Sequence, residues 1–340
     1  MTYRAFGDSI TAGAGASSAA KNYVALLGAD LGVTFDNGAV STSMAMDQAD
    51  AIYARSPQIT AADKCIVALG TNDQAKYDVD PAKRGYFIDA MRAYGVWLGS
   101  NVKTANPGNG VTFTGSWTNS GLAWGTYGAT AAGAKASFTV TGTSVSLGMI
   151  RQYGNPSQFS VRIDGVDRGT FSQDGDVRTI LGRSYGPMCL VFAGLAAGAH
   201  TVEITAVSAS NTYPVYFHWL SDNSLRAKVF FGNIPHAVAY TYGGSKANVD
   251  TYNTAIQALV VELCGYGLSA SLVDECSALS AADMFDNVHP NDFGHVKLRN
   301  AYYAALTGST PPLIMTEGKI YVGSDGKIYA GQPGVTVLLS

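Results

Sequence analysis

The sequence predicts an α/β fold built on a parallel sheet and interrupted by an antiparallel β-sandwich. Residues 1–100 alternate short strands with helices, and the same texture returns at about residue 226. The run Lys64–Leu69 is nearly all apolar, as expected of a strand covered on both faces in a parallel sheet. Between residues 101 and 225 the chain is rich in Gly, Thr, Ser and Val and breaks into many short alternating runs, the pattern of a sandwich.

Taken in order, Thr2–Phe6 reads as a short strand, and Ser17 or Ser18 as the cap of a helix running to about Leu31. Val33–Phe35 is extended, and Asn37-Gly38 is a turn signal. From Pro81 to Leu98 the residues Phe87, Met91, Tyr94 and Leu98 recur at helical spacing. In the middle part, Ala136–Val140, Val145–Ile150, Phe159–Ile163, Cys189–Phe192, Thr201–Val207 and Val215–Trp219 read as strands. Asp164-Gly165 is a hairpin signal between two runs. Lys228–Phe231 is again a buried strand. Val249, Tyr252, Ile256, Leu259, Val260 and Leu263 form one helical face, Ser271–Val273 is a strand, and Leu298, Tyr302 and Ala305 mark a last helix. The expected division is one discontinuous α/β domain (1–100 and 226–310), an inserted jelly-roll-like sandwich (101–225) and a tail (311–340). In the tail, Gly318-Lys319-Ile320-Tyr321 recurs as Gly326-Lys327-Ile328-Tyr329 about Ser324-Asp325-Gly326, which reads as a β-hairpin.

Hydrophobic residues make up 47% of the chain and charged ones 14%, which argues against disorder and supplies apolar material for two cores. The net charge of −3, with no Lys/Arg-rich run, excludes an electrostatic nucleic-acid surface. No apolar run of about 18 residues is present, so no membrane span is expected. The first residues carry no apolar signal segment, so either the chain is trimmed or the protein is not exported by the general route; the location stays open, with a phage particle and a non-classical export route as the candidates. Cys65, Cys189, Cys264 and Cys276 match no zinc spacing. The first two read as core, and the last two are open between a disulfide and free thiols. No His/Cys/Asp set has metal spacing and no Gly-rich phosphate loop occurs, so neither a metal nor another cofactor is expected.

Four short blocks carry chemistry. Gly7-Asp8-Ser9-Ile10-Thr11 follows the first strand, Asn37-Gly38 the second and Gly70-Thr71-Asn72-Asp73 the third, while Asp286-Asn287-Val288-His289-Pro290 precedes the last helix. Segments beyond the C-terminal ends of parallel strands converge on one sheet edge, where sites form. A serine hydroxyl is a poor nucleophile and needs an adjacent base. His289 supplies that base, and Asp286 on the same loop fixes its tautomer. The oxyanion donors expected are the Ser9 N–H, the Gly38 N–H and the Asn72 side-chain amide. Gly38 suits the task because no side chain blocks close approach.

Other residues have weaker claims. Asp8 is expected to brace its turn. His295, further along the last helix, is an alternative base, and His200 and His218 are expected to be structural. Asp73 and His236 are candidates for substrate contact, Asp73 having local backbone as its alternative partner. Trp117 and Trp124, in a Gly/Ser/Thr-rich stretch of the insert, are candidates for stacking on sugar rings, with the sandwich core as their alternative place.

In order and in rough spacing, Gly-Asp-Ser9, Gly38, Gly-Thr-Asn72-Asp and Asp286-x-x-His289 resemble the four blocks of the SGNH hydrolases, also called GDSL esterases. The resemblance covers about residues 1–100 and 226–306. It implies a flavodoxin-like three-layer α/β/α fold and a serine esterase acting on carboxylic esters, often acetyl groups on sugars. Asn37-Gly38-Ala39-Val40 is poorer in glycine than the family's second block. The insert resembles jelly-roll carbohydrate-binding modules, notably at Leu195-Ala196-Ala197-Gly198-Ala199-His200-Thr201-Val202. The expected substrate is an acylated carbohydrate or another small ester. Two other readings stay open: a glycan-binding or phage-tail-like structural protein with weak or vestigial esterase, and a lipase or thioesterase for longer acyl chains. A homo-oligomer would assemble through the insert or the tail.

Overall fold

The computed structural model describes residues 2–54, 59–78, 80–120 and 124–310, and the backbone of 320–322, 328–332 and 335–338. Five strands form a parallel sheet: β1 (Tyr3–Gly7), β2 (Phe35–Asn37), β3 (Lys64–Ala68), β4 (Lys228–Gly232) and β5 (Ala270–Val273). Their order in space is β2-β1-β3-β4-β5, the flavodoxin-like arrangement. All of β1 is buried, as is β3 after Lys64, which accounts for their continuous apolar runs.

Helices cover both faces. They are α1 (Ser9–Ala12), α2 (Tyr23–Leu31), α3 (Thr71–Tyr77), α4 (Pro81–Gly99), α5 (Lys246–Gly265) and α6 (Asp292–Thr307). On one face, α4 and α5 bury Phe87, Met91, Tyr94, Tyr252 and Leu263 against Phe6, Val67 and Phe231. On the other, α2 and α6 bury Tyr23, Leu27, Leu298 and Tyr302 against Ala5, Ile66 and Phe230. Neighbouring residues of each strand thus serve opposite cores, the two-residue period of a pleated strand. Helix α2 starts later than its serines suggest. Asn22 caps it, its side chain accepting from Val24 N–H at 2.8 Å, whereas the Ser17 amide and hydroxyl are both bound to Asp292.

The chain leaves α4 directly into an antiparallel sheet of nine strands among the described residues. Its first strand, Ser100–Thr104, pairs with its last, Val215–Leu225, so entry and exit lie side by side. Where the sequence predicts four separate strands, the structure has two long ones, Lys135–Gln152 and Tyr185–Ser208. Gly142 (φ 152°) and a register shift between Ala193 and Gly198 interrupt them. Phe138 and Val140 share one core with Leu147, Met149, Phe159 and Phe217, so the sheet folds over on itself. Asp164 (φ 53°) and Gly165 (φ 78°) form the two-residue turn between Ile163 and Val166.

In the tail, the repeat pairs Tyr321 with Tyr329, and Val335–Leu338 adds a third strand to the expected hairpin. The Ser324-Asp325-Gly326 turn lies outside the described residues. All four cysteines are free thiols. Cys264 faces the Ala270 carbonyl and Cys276 faces His236, so the two do not pair. Among the described residues, no helix is long and apolar enough to cross a membrane.

Candidate active site

Gly7 lets β1 turn sharply into α1. A Cβ there would lie 2.7 Å from the Ala68 carbonyl and 2.2 Å from Thr11 Oγ1. Asp8 caps α1 by accepting from Ile10 N–H at 3.0 Å, which sets Ser9 as the helix's first residue at the C-terminal end of β1. Burial pushes the Asp8 carboxyl up to about 6, against the pull of Ile10 N–H, Thr71 and His289.

His289 arrives from the other end of the chain, and glycine again permits the approach. A Cβ on Gly15 (φ 86°) would lie 2.2 Å from the Pro290 carbonyl. The segment after α1 is tied to α6 by side chains. His295 Nε2 donates to Ala14 O at 3.1 Å, its Nδ1 accepts from Tyr23 N–H at 3.4 Å, and Asp292 pairs with Lys21 at 2.7 Å. His289 Nε2 consequently sits 2.9 Å from Ser9 Oγ, and its Nδ1 sits 2.8 Å from Asp286 Oδ2. Asp286 Oδ1 also accepts from the Val288 and His289 N–H groups, at 2.7 Å each. Burial alone would raise the Asp286 carboxyl, but these hydrogen bonds, led by the His289 ring, hold it at about 2. An ionised Asp286 makes His289 Nδ1 the donor and leaves Nε2 to accept the Ser9 proton.

Asn72 stands in the first turn of α3. Its Nδ2 donates to Ser43 O at 2.9 Å through one of two amide hydrogens. Ser9, Asn72 and His289 line a cleft of about 530 Å³ together with Ser41, Thr42, Ile180, Tyr240 and Tyr242. Among the described residues, no group of three or more His, Cys, Asp or Glu could hold a metal ion.

Several expected site residues lie elsewhere. The Gly38 N–H donates to Ala5 O at 2.8 Å and the Val40 N–H to Gly7 O at 3.0 Å, so this stretch extends the sheet pairing and its glycine does not line the cleft. The chain reaches the cleft at Ser41–Thr42, where Thr42 takes φ 66°, an uncommon conformation for a β-branched residue. Asp73 is fully buried, and both its oxygens accept from Ala45 N–H, at 3.1 and 3.0 Å, so it braces backbone and does not meet substrate. His236 lies between two cleft residues, Pro235 and Ala237, but its ring is held by Asp250 Oδ1 at 2.7 Å and Cys276 Sγ at 3.6 Å. Trp117 packs on Phe113 at the edge of the sandwich core. Trp124 sits where the insert meets the α/β part, donating to Asp50 at 2.7 Å with its ring against Tyr53, Tyr185 and His218. Trp124 is thus packed on several sides, whereas Trp117 is half-buried with a ring contact to Phe113, and neither lines the cleft. His295 is buried with both nitrogens engaged, which removes it as an alternative base.

Sequence reasoning missed Glu275, which is buried behind Asp8 and accepts from the Tyr302 hydroxyl. Burial, with Asp8 and Asp274 nearby, pushes its carboxyl up to about 8 despite the Tyr302 bond. It also missed Ile180, Tyr240 and Tyr242. The one available signal was Tyr240-Thr241-Tyr242-Gly243-Gly244, two aromatics before a diglycine in a segment with no strand or helix pattern.

No family model matches the chain, and no curated protein sequence matches it. Among solved structures it is similar to a member of the lipolytic G-D-S-L family from Veillonella parvula DSM 2008, at 13% identity and a TM-score of 0.43, over 90% of this chain and 97% of that one. It is similar also to a two-domain esterase active on acetylated mannans, at 11% identity and a TM-score of 0.38, over 65% of this chain and 90% of that one. A carbohydrate-binding module in complex with calcium and xylotriose matches 36% of this chain and 98% of its own, at 14% identity and a TM-score of 0.28.

Proposed function

We propose that the protein is a serine esterase that removes acyl groups, acetyl above all, from the hydroxyls of a polysaccharide. One observation carries the reading: the continuous run of contacts from Ser9 Oγ through His289 to Asp286 on the wall of an open cleft. Ser9 Oγ attacks the ester carbonyl while its proton passes to His289 Nε2. Asp286 stays ionised and stabilises the imidazolium. The Ser9 N–H, the second Asn72 amide hydrogen and the backbone of the Ser41–Thr42 turn hold the oxyanion, the turn taking the place expected of Gly38. Collapse expels the alcohol, which takes the proton from His289. Water, deprotonated by His289, then attacks the acyl-Ser9 carbonyl and releases the acid, and Ser9 regains its proton. In this reading residues 1–100 and 226–310 form the catalytic domain, 101–225 the insert and 311–340 the tail.

The test is hydrolysis of 4-nitrophenyl acetate, butyrate and octanoate, with acetate release from acetylated xylan and mannan measured alongside. Wild-type protein should cleave the acetate ester fastest, and Ser9→Ala should abolish turnover. Full turnover by Ser9→Ala would end the proposal, and rates that climb toward octanoate would favour a lipase.

A further inference from the structure

The cleft around Ser9 is not built by the α/β part alone. Ile180, which lines it, belongs to the insert, in the segment leading into the long strand Tyr185–Ser208. That segment is fastened to residues 44–50 of the α/β part. Thr179 Oγ1 donates to Asp47 Oδ1 at 2.7 Å, and Ile180 N–H points at Met44 Sδ at 3.3 Å. Arg183 pairs with Asp50, donates its own amide to Thr179 Oγ1 at 3.0 Å, and lies 5.0 Å from the Tyr185 ring centroid. Asp47 and Arg183 are largely buried, so the Thr179–Asp47 bond is shielded from water, while the Arg183–Asp50 pair lies at the surface; together they hold Ile180 in place.

Another wall of the cleft comes from the segment between β4 and α5. Gly243 (φ 103°) and Gly244 (φ 79°) let this segment lie flat on α3. A Cβ on Gly243 would be 2.7 Å from Ala75 O, and one on Gly244 would be 2.0 Å from Gln74 Oε1. The close approach fixes Tyr242 at the cleft, yet the residue is 83% exposed, the most exposed of the large apolar residues described.

Resting on the esterase reading, we infer that Ile180 and Tyr242 hold the alcohol side of the ester, and that this alcohol is a pyranose ring. A sugar ring has a face of C–H groups that an exposed aromatic can cover. Its rim of hydroxyls suits the polar side chains of Ser41 and Thr42 on the cleft wall. A long acyl chain would match Ile180 but offers no flat C–H face for Tyr242 to cover. The insert therefore sets alcohol specificity by building part of the catalytic cleft, through Ile180 and not through Trp117 or Trp124.

The experiment compares kcat/KM for acetate release from chemically acetylated mannopentaose and xylopentaose with kcat/KM for 4-nitrophenyl acetate. It uses wild type, Ile180→Ala, Tyr242→Ala and Tyr242→Phe, each checked for native circular dichroism. In both alanine variants the oligosaccharide-to-aryl ratio should fall about tenfold, mainly through KM, while Tyr242→Phe keeps the wild-type ratio. An unchanged ratio in either alanine variant overturns the inference, as does a wild type that cleaves the aryl ester but neither oligosaccharide. Absence of aryl-ester turnover in the wild type would instead bring down the esterase reading itself, and this inference with it.

Discussion

Glu275→Gln should flatten the dependence of folding stability on pH. Glu275 is buried against Tyr302 and Gly232, where a Cβ on Gly232 would come within 2.1 Å of its Oε1. Burial, with Asp8 and Asp274 nearby, moves its carboxyl from an ordinary 4.5 to about 8. Below pH 4.5 the proton is bound in both folded and unfolded chains. Between 4.5 and about 8 only the folded chain keeps it, so rising pH favours unfolding, and above about 8 the loss levels off. At about 1.4 kcal/mol for each pH unit, this window carries up to about 5 kcal/mol of lost stability. Glutamine keeps the acceptor for Tyr302 and has no proton to lose. Urea unfolding followed by circular dichroism from pH 4 to pH 9 reads the difference. The variant should gain on the wild type steadily as pH rises, by several kcal/mol at pH 9. Parallel profiles for the two proteins would refute the reasoning, because they would mean that Glu275 titrates alike in both states. Asp8, pushed from 3.8 to about 6, contributes a slope of the same sign and remains in both proteins.

Other outcomes follow from the same geometry. Asn72→Ala should lower kcat on 4-nitrophenyl acetate by about 100- to 1000-fold with KM little changed, since in the proposed mechanism the amide meets the oxyanion only in the transition state; a shift in KM alone would contradict this. Asp286→Asn should lower kcat by up to about 10⁴-fold, because an amide no longer fixes the His289 tautomer. Its thermal midpoint should barely move, the Asp286 side chain being 47% exposed. Gly148→Ala should destabilise the insert by about 1–3 kcal/mol or more, because a Cβ there would lie 2.1 Å from the Trp219 ring; an unmoved calorimetric midpoint would show that the ring has room to shift.

The sequence made the α/β scaffold legible because burial on both faces leaves continuous apolar runs, as in Lys64–Leu69, and because helical faces such as Val249–Leu263 repeat at their own period. Ser9, Asn72, Asp286 and His289 were readable because short blocks at strand and helix ends have few places to go. Gly38 misled because the chain does not turn at Asn37-Gly38: the Gly38 amide continues the sheet pairing, and the chain bends into the cleft only at Ser41–Thr42. The two long strands of the insert were split in expectation, since Gly142 and the stretch from Ala193 to Gly198 look like loops and act as bends. Trp124 was open between stacking and packing, and only the positions of Asp50, Tyr53 and Tyr185 decide it. Ile180 and Tyr242 meet at the cleft from segments about 60 residues apart, a juxtaposition that local pattern does not encode. Glu275 carries no motif at all, and its burial depends on α6 folding over β5.

The most direct test of the account is where a fluorophosphonate reacts. Tandem mass spectrometry of protein treated with such a reagent should place the adduct on Ser9, and His289→Gln should slow its formation by orders of magnitude. An adduct on another residue, or equal labelling of Ser9 with and without His289, would contradict it.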